Sequence, residues 1–147
     1  MKISVIIPTY EKWNVLSYVL KRFDEVSFDK NDFEVIVCVN GCKIPEGYFE
    51  RLKLQYRLSV LSEKEPNRAL ARNRCIVRAK GEILVFTDDD TLVSNAFLQE
   101  HYIAHQKKKC VAVGIRKQII LPELAEYNFE ADVEKKSYAA IYYKTVI

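Results

Sequence analysis

Glycine and proline are scarce, four of each in 147 residues, which leaves little chain for flexible linkers or low-complexity segments. No apolar run approaches the roughly 18–20 residues that cross a bilayer. Met1-Lys2-Ile3-Ser4 leads straight into a strand-like segment, so neither a membrane span nor a secretory signal is expected. Charge of one sign is not in excess either: 23 Lys and Arg against 20 Asp and Glu leave +3, too little to imply nucleic acid as a partner. The four cysteines, Cys38, Cys42, Cys75 and Cys110, form no C-x-x-C pair and no zinc-finger spacing, and read as reduced, mostly buried thiols of a cytoplasmic protein. A G-x-x-x-x-G-K-[ST] loop is missing, which excludes a P-loop enzyme. What is present, 49% hydrophobic and 29% charged residues, is the balance of one globular domain with one core.

Periodicity gives the fold class. Ile3 to Ile7 is an apolar run stopped by Pro8, a buried strand. Trp13, Leu16, Val19, Leu20 and Phe23 recur at helical steps. Phe33 to Val39 is a second buried strand, halted by Asn40-Gly41, and Leu58 to Leu61 a short third. Leu70, Asn73, Ile76 and Val77 define one face of the next helix, with Gly81 placed as its C-cap. Glu82 to Phe86 is a strand that runs into Asp88-Asp89-Asp90. A helix over about residues 95–107 carries Phe97, Leu98, His101, Tyr102 and His105, and strands follow at 110–113 and 116–121. Residues 123–144 are helix-forming, with Tyr127, Phe129, Val133, Tyr138 and Ile141 interspersed. Alternating strands and helices predict an α/β fold, a mostly parallel sheet flanked by helices. Residues 1–147 form a single domain on this reading, with a core over 1–118 and a helical tail, or the start of a further region, over 119–147.

In open α/β sheets ligands bind at the carboxyl ends of the strands. Pro8-Thr9-Tyr10-Glu11, Asn40-Gly41-Cys42 and Thr87-Asp88-Asp89-Asp90 all leave strand ends, and a parallel sheet puts them on one rim. Three adjacent carboxylates repel: at 4 Å and an effective dielectric of about 20, each pair costs about 4 kcal/mol. The cluster must spread into water, hold a proton, or bind a cation. If the strand stays extended, Asp88 and Asp90 point to one side and Asp89 to the other. Hard oxygen donors of this kind suit Mg²⁺ or Mn²⁺.

The ordered set Lys2-Ile3-Ser4-Val5-Ile6-Ile7-Pro8-Thr9-Tyr10, Asn67-Arg68-Ala69-Leu70-Ala71-Arg72-Asn73, Ala79-Lys80-Gly81-Glu82 and Phe86-Thr87-Asp88-Asp89-Asp90 resembles family 2 glycosyltransferases of the GT-A fold, over residues 2 to about 100. The resemblance implies a nucleotide-sugar donor, a divalent metal at an Asp-x-Asp motif, and sugar transfer to a glycan or lipid-linked acceptor. Carried over, Pro8, Thr9, Tyr10 and Glu11 would line the nucleoside pocket, and Arg72 would hold base or pyrophosphate. Asp88 and Asp89 would face ribose and sugar, and Asp90, with Asp88, would hold the Mg²⁺ or Mn²⁺. Arg72 has a rival reading as a surface residue paired with Glu63 or Glu65.

Two departures stand out. Where the family's second strand usually ends in Asp-Asp-Gly-Ser, this chain has Asn40-Gly41-Cys42, so Asn40 is the available donor-binding residue and a UDP-sugar is only the default donor. No general base is identified after Asp90; Glu123, Glu126, Glu130, Asp132 and Glu134 read as the polar face of a helix. The alternative is therefore a non-catalytic nucleotide-sugar binding module. His101 and His105 read as ordinary core or surface histidines rather than a metal pair. Lys107-Lys108-Lys109 is a solvated helix end, or a contact for anionic headgroups at the inner membrane face. Tyr138, Tyr142 and Tyr143 suit a homo-oligomer interface or a lid.

Overall fold

The computed structural model describes residues 1–114 and, for the backbone, 144–146. It divides into two units, residues 1–103 and 104–147. The first holds β1 (Ile3–Thr9), α1 (Trp13–Asp24), β2 (Phe33–Asn40), a single 3-10 turn (Glu50–Leu52), β3 (Arg57–Glu63), α2 (Arg68–Arg78) and β4 (Ile83–Phe86). α3 (Phe97–Lys107) crosses the division. In the second unit β5 (Val111–Val113) pairs antiparallel with β6 (Lys144–Val146).

The main sheet has the order β3-β2-β1-β4, and every pairing in it is parallel. β1 and β2 are central and buried at every position, which explains their unbroken apolar runs. The two-residue alternation sorts their side chains. Val5, Ile7, Val35, Val37 and Val39 face the core that includes Leu16, Val19, Leu20 and Phe23 of α1. Ile6, Ile36 and Cys38 face Ala71 and Cys75 of α2. Each fully buried Leu, Val or Phe contributes about 1.5–3 kcal/mol, so the α1 side carries most of the stability.

Three local expectations need correction. The buried face of α2 is Ala71 and Cys75, not Leu70-Asn73-Ile76-Val77; Val77 is 89% exposed. Small side chains let the helix approach the sheet, and the large apolar ones are left on its outer side. Gly81 is not a left-handed C-cap: α2 closes at Ala79, whose N–H donates to the carbonyls of Cys75 and Ile76. Gly81 instead passes against β1, where a Cβ would lie 2.4 Å from the Ser4 nitrogen. The buried Glu34 carboxylate accepts from the Ser4 hydroxyl (2.8 Å) and the Lys80 N–H (2.8 Å), and Ser4 Oγ accepts from the Gly81 N–H (2.8 Å), fixing the turn into β4. Finally, β4 stops at Phe86, so the acidic triplet is not extended strand.

The expected strand at 116–121, the acidic face of Glu123 to Glu134, the tyrosines at 138, 142 and 143, and the boundary at 118–119 lie outside the described residues. Cys38 and Cys75 are buried free thiols, and Cys42 and Cys110 are half-buried.

Candidate functional site

Parallel pairing brings the exits of β1, β2 and β4 to one rim. The last rung between β1 and β4 is the Thr87 N–H to the Ile6 carbonyl (3.1 Å). Pro8 shares the parity of Ile6, so its missing N–H turns toward a side where β4 has already ended, and a proline is tolerated in a central strand. Pro8 is buried in the strand, whereas Tyr10 is about half exposed at the rim.

Past Phe86 the chain turns, closed by the Thr91 N–H to the Asp88 carbonyl (3.3 Å), and the three carboxylates part toward different elements. Asp88 Oδ1 accepts from Arg72 Nη2 on α2 at 2.8 Å. Asp89 is buried, and its Oδ2 accepts from the Thr9 hydroxyl (2.9 Å) and the Tyr10 N–H (3.4 Å). Asp90 Oδ2 accepts from Lys12 Nζ at 2.6 Å, and the same ammonium lies 3.5 Å from Asp89 Oδ1. Repulsion in the triplet is thus relieved by dispersal and by two tethered cations. The hydrogen bond to Asp90, with the charge of Asp89, holds the Lys12 amine above the usual lysine range.

Asn40, at the end of β2, is engaged by the chain itself: its Oδ1 accepts from the Asn67 N–H at 2.6 Å. Asn67 in turn caps α2, accepting from the Leu70 N–H at 3.0 Å. The intervening turn depends on Gly41, whose φ of +79° and whose closeness to Pro66 (a Cβ would lie 2.5 Å from its nitrogen) exclude a side chain. Together these contacts set the start of α2 and hence the reach of Arg72, just over one turn in. Arg72 pairs with Asp88 rather than with Glu63 or Glu65; Arg74 takes Glu63.

Sequence reasoning placed Thr9, Tyr10, Glu11, Asn40, Arg72 and the triplet near this rim and missed Lys12, Asn67 and the Ser4–Glu34 brace. A lysine at the start of a helix, unfavourable to the dipole, was the available signal for Lys12. His101 is buried edge-on against Phe97, with ring centroids 4.8 Å apart. Beside Lys12, Trp13 packs on Tyr48 and Phe49, and the Tyr48 hydroxyl donates to the Trp13 carbonyl.

Among the described residues no group of three His, Cys, Asp or Glu side chains converges as a complete metal cage. The donor set nevertheless fits Mg²⁺ or Mn²⁺. The Asp88 and Asp90 side chains are partly exposed, 29% and 48%, beside Arg72 and Lys12, and such cations retain waters and share their coordination with substrate phosphates. Among the described residues no helix is long and apolar enough to cross a membrane.

A parallel sheet with an acidic turn at its carboxyl rim is the architecture of the GT-A transferases, and solved structures of that fold match it. A mannosyltransferase from Pyrobaculum calidifontis, solved with GDP-Man and Mn²⁺, gives a TM-score of 0.69 at 25% identity, over 80% of this chain and 36% of that one. Residues 1–349 of Staphylococcus aureus TarS, solved with UDP-GlcNAc, give 0.68 at 21% identity, over 86% of this chain and 39% of that one. The profile of glycosyl transferase family 2 matches residues 4–140, and the chain belongs to that family. In sequence, poly(ribitol-phosphate) beta-N-acetylglucosaminyltransferase TarS of S. aureus strain Mu50 is 32% identical over 115 residues, 69% of this chain and 20% of its own length. A poly(ribitol-phosphate) beta-glucosyltransferase of Bacillus spizizenii is 30% identical over 125 residues, 81% of this chain and 20% of its own length. The chain spans about a fifth of each of these two relatives.

Proposed function

We propose that the chain binds a nucleotide-sugar and serves the transfer of its sugar to a glycan or lipid-linked acceptor, in polysaccharide biosynthesis at the cytoplasmic side of a membrane. The observation that carries this reading is the division of labour in the acidic turn. Asp89 is anchored inward on Thr9 and Tyr10, which leaves Asp88 and Asp90 at the rim beside Arg72 and Lys12. Asp90, with Asp88, would hold Mg²⁺ or Mn²⁺, and the bound cation would offset charge on the departing diphosphate. Arg72 offers the planar donor fork suited to phosphate. Tyr10 offers its ring to the base or sugar, with Pro8, Thr9, Glu11, Asn40, Asp88 and Asp89 forming the rest of the donor pocket. UDP is the proposed nucleotide, supported by TarS having been solved with UDP-GlcNAc.

The second reading, a donor-binding module without turnover, is favoured by one feature: each carboxylate of the triplet is already engaged by a donor of this chain. Calorimetric titration with UDP-GlcNAc, with and without Mn²⁺, tests binding, and UDP release in the presence of polyol-phosphate or glycan acceptors separates enzyme from module. Asp90→Asn should abolish the Mn²⁺-dependent part of binding with the fold intact. Donor binding indifferent to both Mn²⁺ and this substitution would remove the metal from the proposal.

A further inference from the structure

Lys12 stands where a helix least favours a cation. It is the N-cap of α1, its side chain makes no capping hydrogen bond, and the first turn of α1 has no acidic residue to offset it. The positive end of the helix dipole repels an ammonium there. Glu11, just before it, takes a left-handed φ of +53°, which a non-glycine residue keeps only when its surroundings hold it. The compensating contacts lie across the rim: Lys12 Nζ is 2.6 Å from Asp90 Oδ2 and 3.5 Å from Asp89 Oδ1. A divalent cation drawn to Asp90 meets a carboxylate that already holds a positive charge.

We propose that Lys12 is a tethered counterion of the acidic turn, in competition with the divalent cation for Asp90, and that this lysine thereby sets the cation affinity of the site. The proposal rests on the metal-dependent reading above. Both partners of the pair are about half exposed, so the pair is weak enough to be displaced, and an exposed pair of this kind shifts an equilibrium by about two- to fivefold.

The test is Mn²⁺ binding by the full chain, read from the spin-resonance signal of free Mn²⁺ with UDP present, for wild type, Lys12→Met, Lys12→Arg, Asp90→Asn and the Lys12→Met/Asp90→Asn double variant. Methionine keeps most of the apolar stem without the charge, and circular dichroism confirms that each variant is folded. Lys12→Met should bind Mn²⁺ about two- to fivefold more tightly than wild type, Lys12→Arg should match wild type, and Asp90→Asn should lose Mn²⁺ binding with or without Lys12→Met, whereas Mn²⁺ bound by the double variant as by Lys12→Met alone overturns the proposal. Equal or weaker Mn²⁺ binding by Lys12→Met, or Lys12→Arg as tight as Lys12→Met, overturns the counterion and leaves the metal-dependent reading standing. If UDP binds but Mn²⁺ binds to none of the proteins, the counterion and the metal-dependent reading fall together.

Discussion

Asp89 and Asp90 are adjacent in sequence and opposite in role, and alanine at each position should separate them by stability. Asp89 is 8% exposed and its Oδ2 accepts from the Thr9 hydroxyl, itself 2% exposed, at 2.9 Å. A hydrogen bond to a charged acceptor contributes about 1.5–3 kcal/mol, and the orphaned buried hydroxyl adds about 1 kcal/mol. The Tyr10 N–H contact is long, 3.4 Å, and adds little. Asp89→Ala should therefore cost about 2–4 kcal/mol, a fall of roughly 5–12 °C in Tm for a chain of this size. Asp90→Ala loses only the exposed pair with Lys12, about 0.2–1 kcal/mol. Asp89→Asn should fall between, about 1 kcal/mol, because both anchoring bonds go to one oxygen that an amide can supply. Urea unfolding at neutral pH, followed by circular dichroism with a constant m-value, measures all three. If Asp89→Ala and Asp90→Ala lose the same stability within about 0.5 kcal/mol, or if the order is reversed, the distinction between Asp89 as buried anchor and Asp90 as exposed partner of Lys12 is wrong.

Arg72→Ala should weaken UDP-sugar binding by about 1–3 kcal/mol, roughly five- to 150-fold, with Arg72→Lys recovering only part; unchanged affinity by calorimetry would make Arg72 merely a partner of Asp88. Gly41→Ala should destabilise by about 2 kcal/mol or more, because the new Cβ meets Pro66 and φ stays positive; an unchanged urea midpoint would contradict the close approach. Ser4→Ala should cost about 2–3 kcal/mol by removing the hydroxyl shared by Glu34 and Gly81, measured the same way. Burial pushes the Tyr48 phenol up to about 12. Between about pH 10 and 12 the folded chain keeps a proton that the unfolded chain has lost. Its contribution is full below about pH 10 and disappears as pH rises through 12, so Tyr48→Phe should flatten part of the alkaline loss of stability between about pH 10 and 12.

Much of the frame was legible because burial leaves a periodic trace. The central strands read as unbroken apolar runs, and α1 as a three-and-four pattern, because each is buried on a fixed geometry. α2 misled for a physical reason: its contact with the sheet is made by Ala71 and Cys75, residues too small to dominate a hydrophobic pattern, while Leu70, Ile76 and Val77 face outward. Gly81 misled in the same way, since nothing local distinguishes a glycine that caps a helix from one that must pass against Ser4.

The amino-acid order alone determined the α/β frame, the gathering of three polar strand ends on one rim and the family likeness, all of which follow from hydrophobic period and local motif. Only the tertiary structure decided what each carboxylate of Asp88-Asp89-Asp90 does. Their partners Arg72, Thr9 and Lys12 lie 16, 80 and 78 positions away in the chain. Charges that repel when adjacent are distributed by whichever cations and donors the fold brings to them, and that choice is made across the sheet, where sequence spacing carries no information.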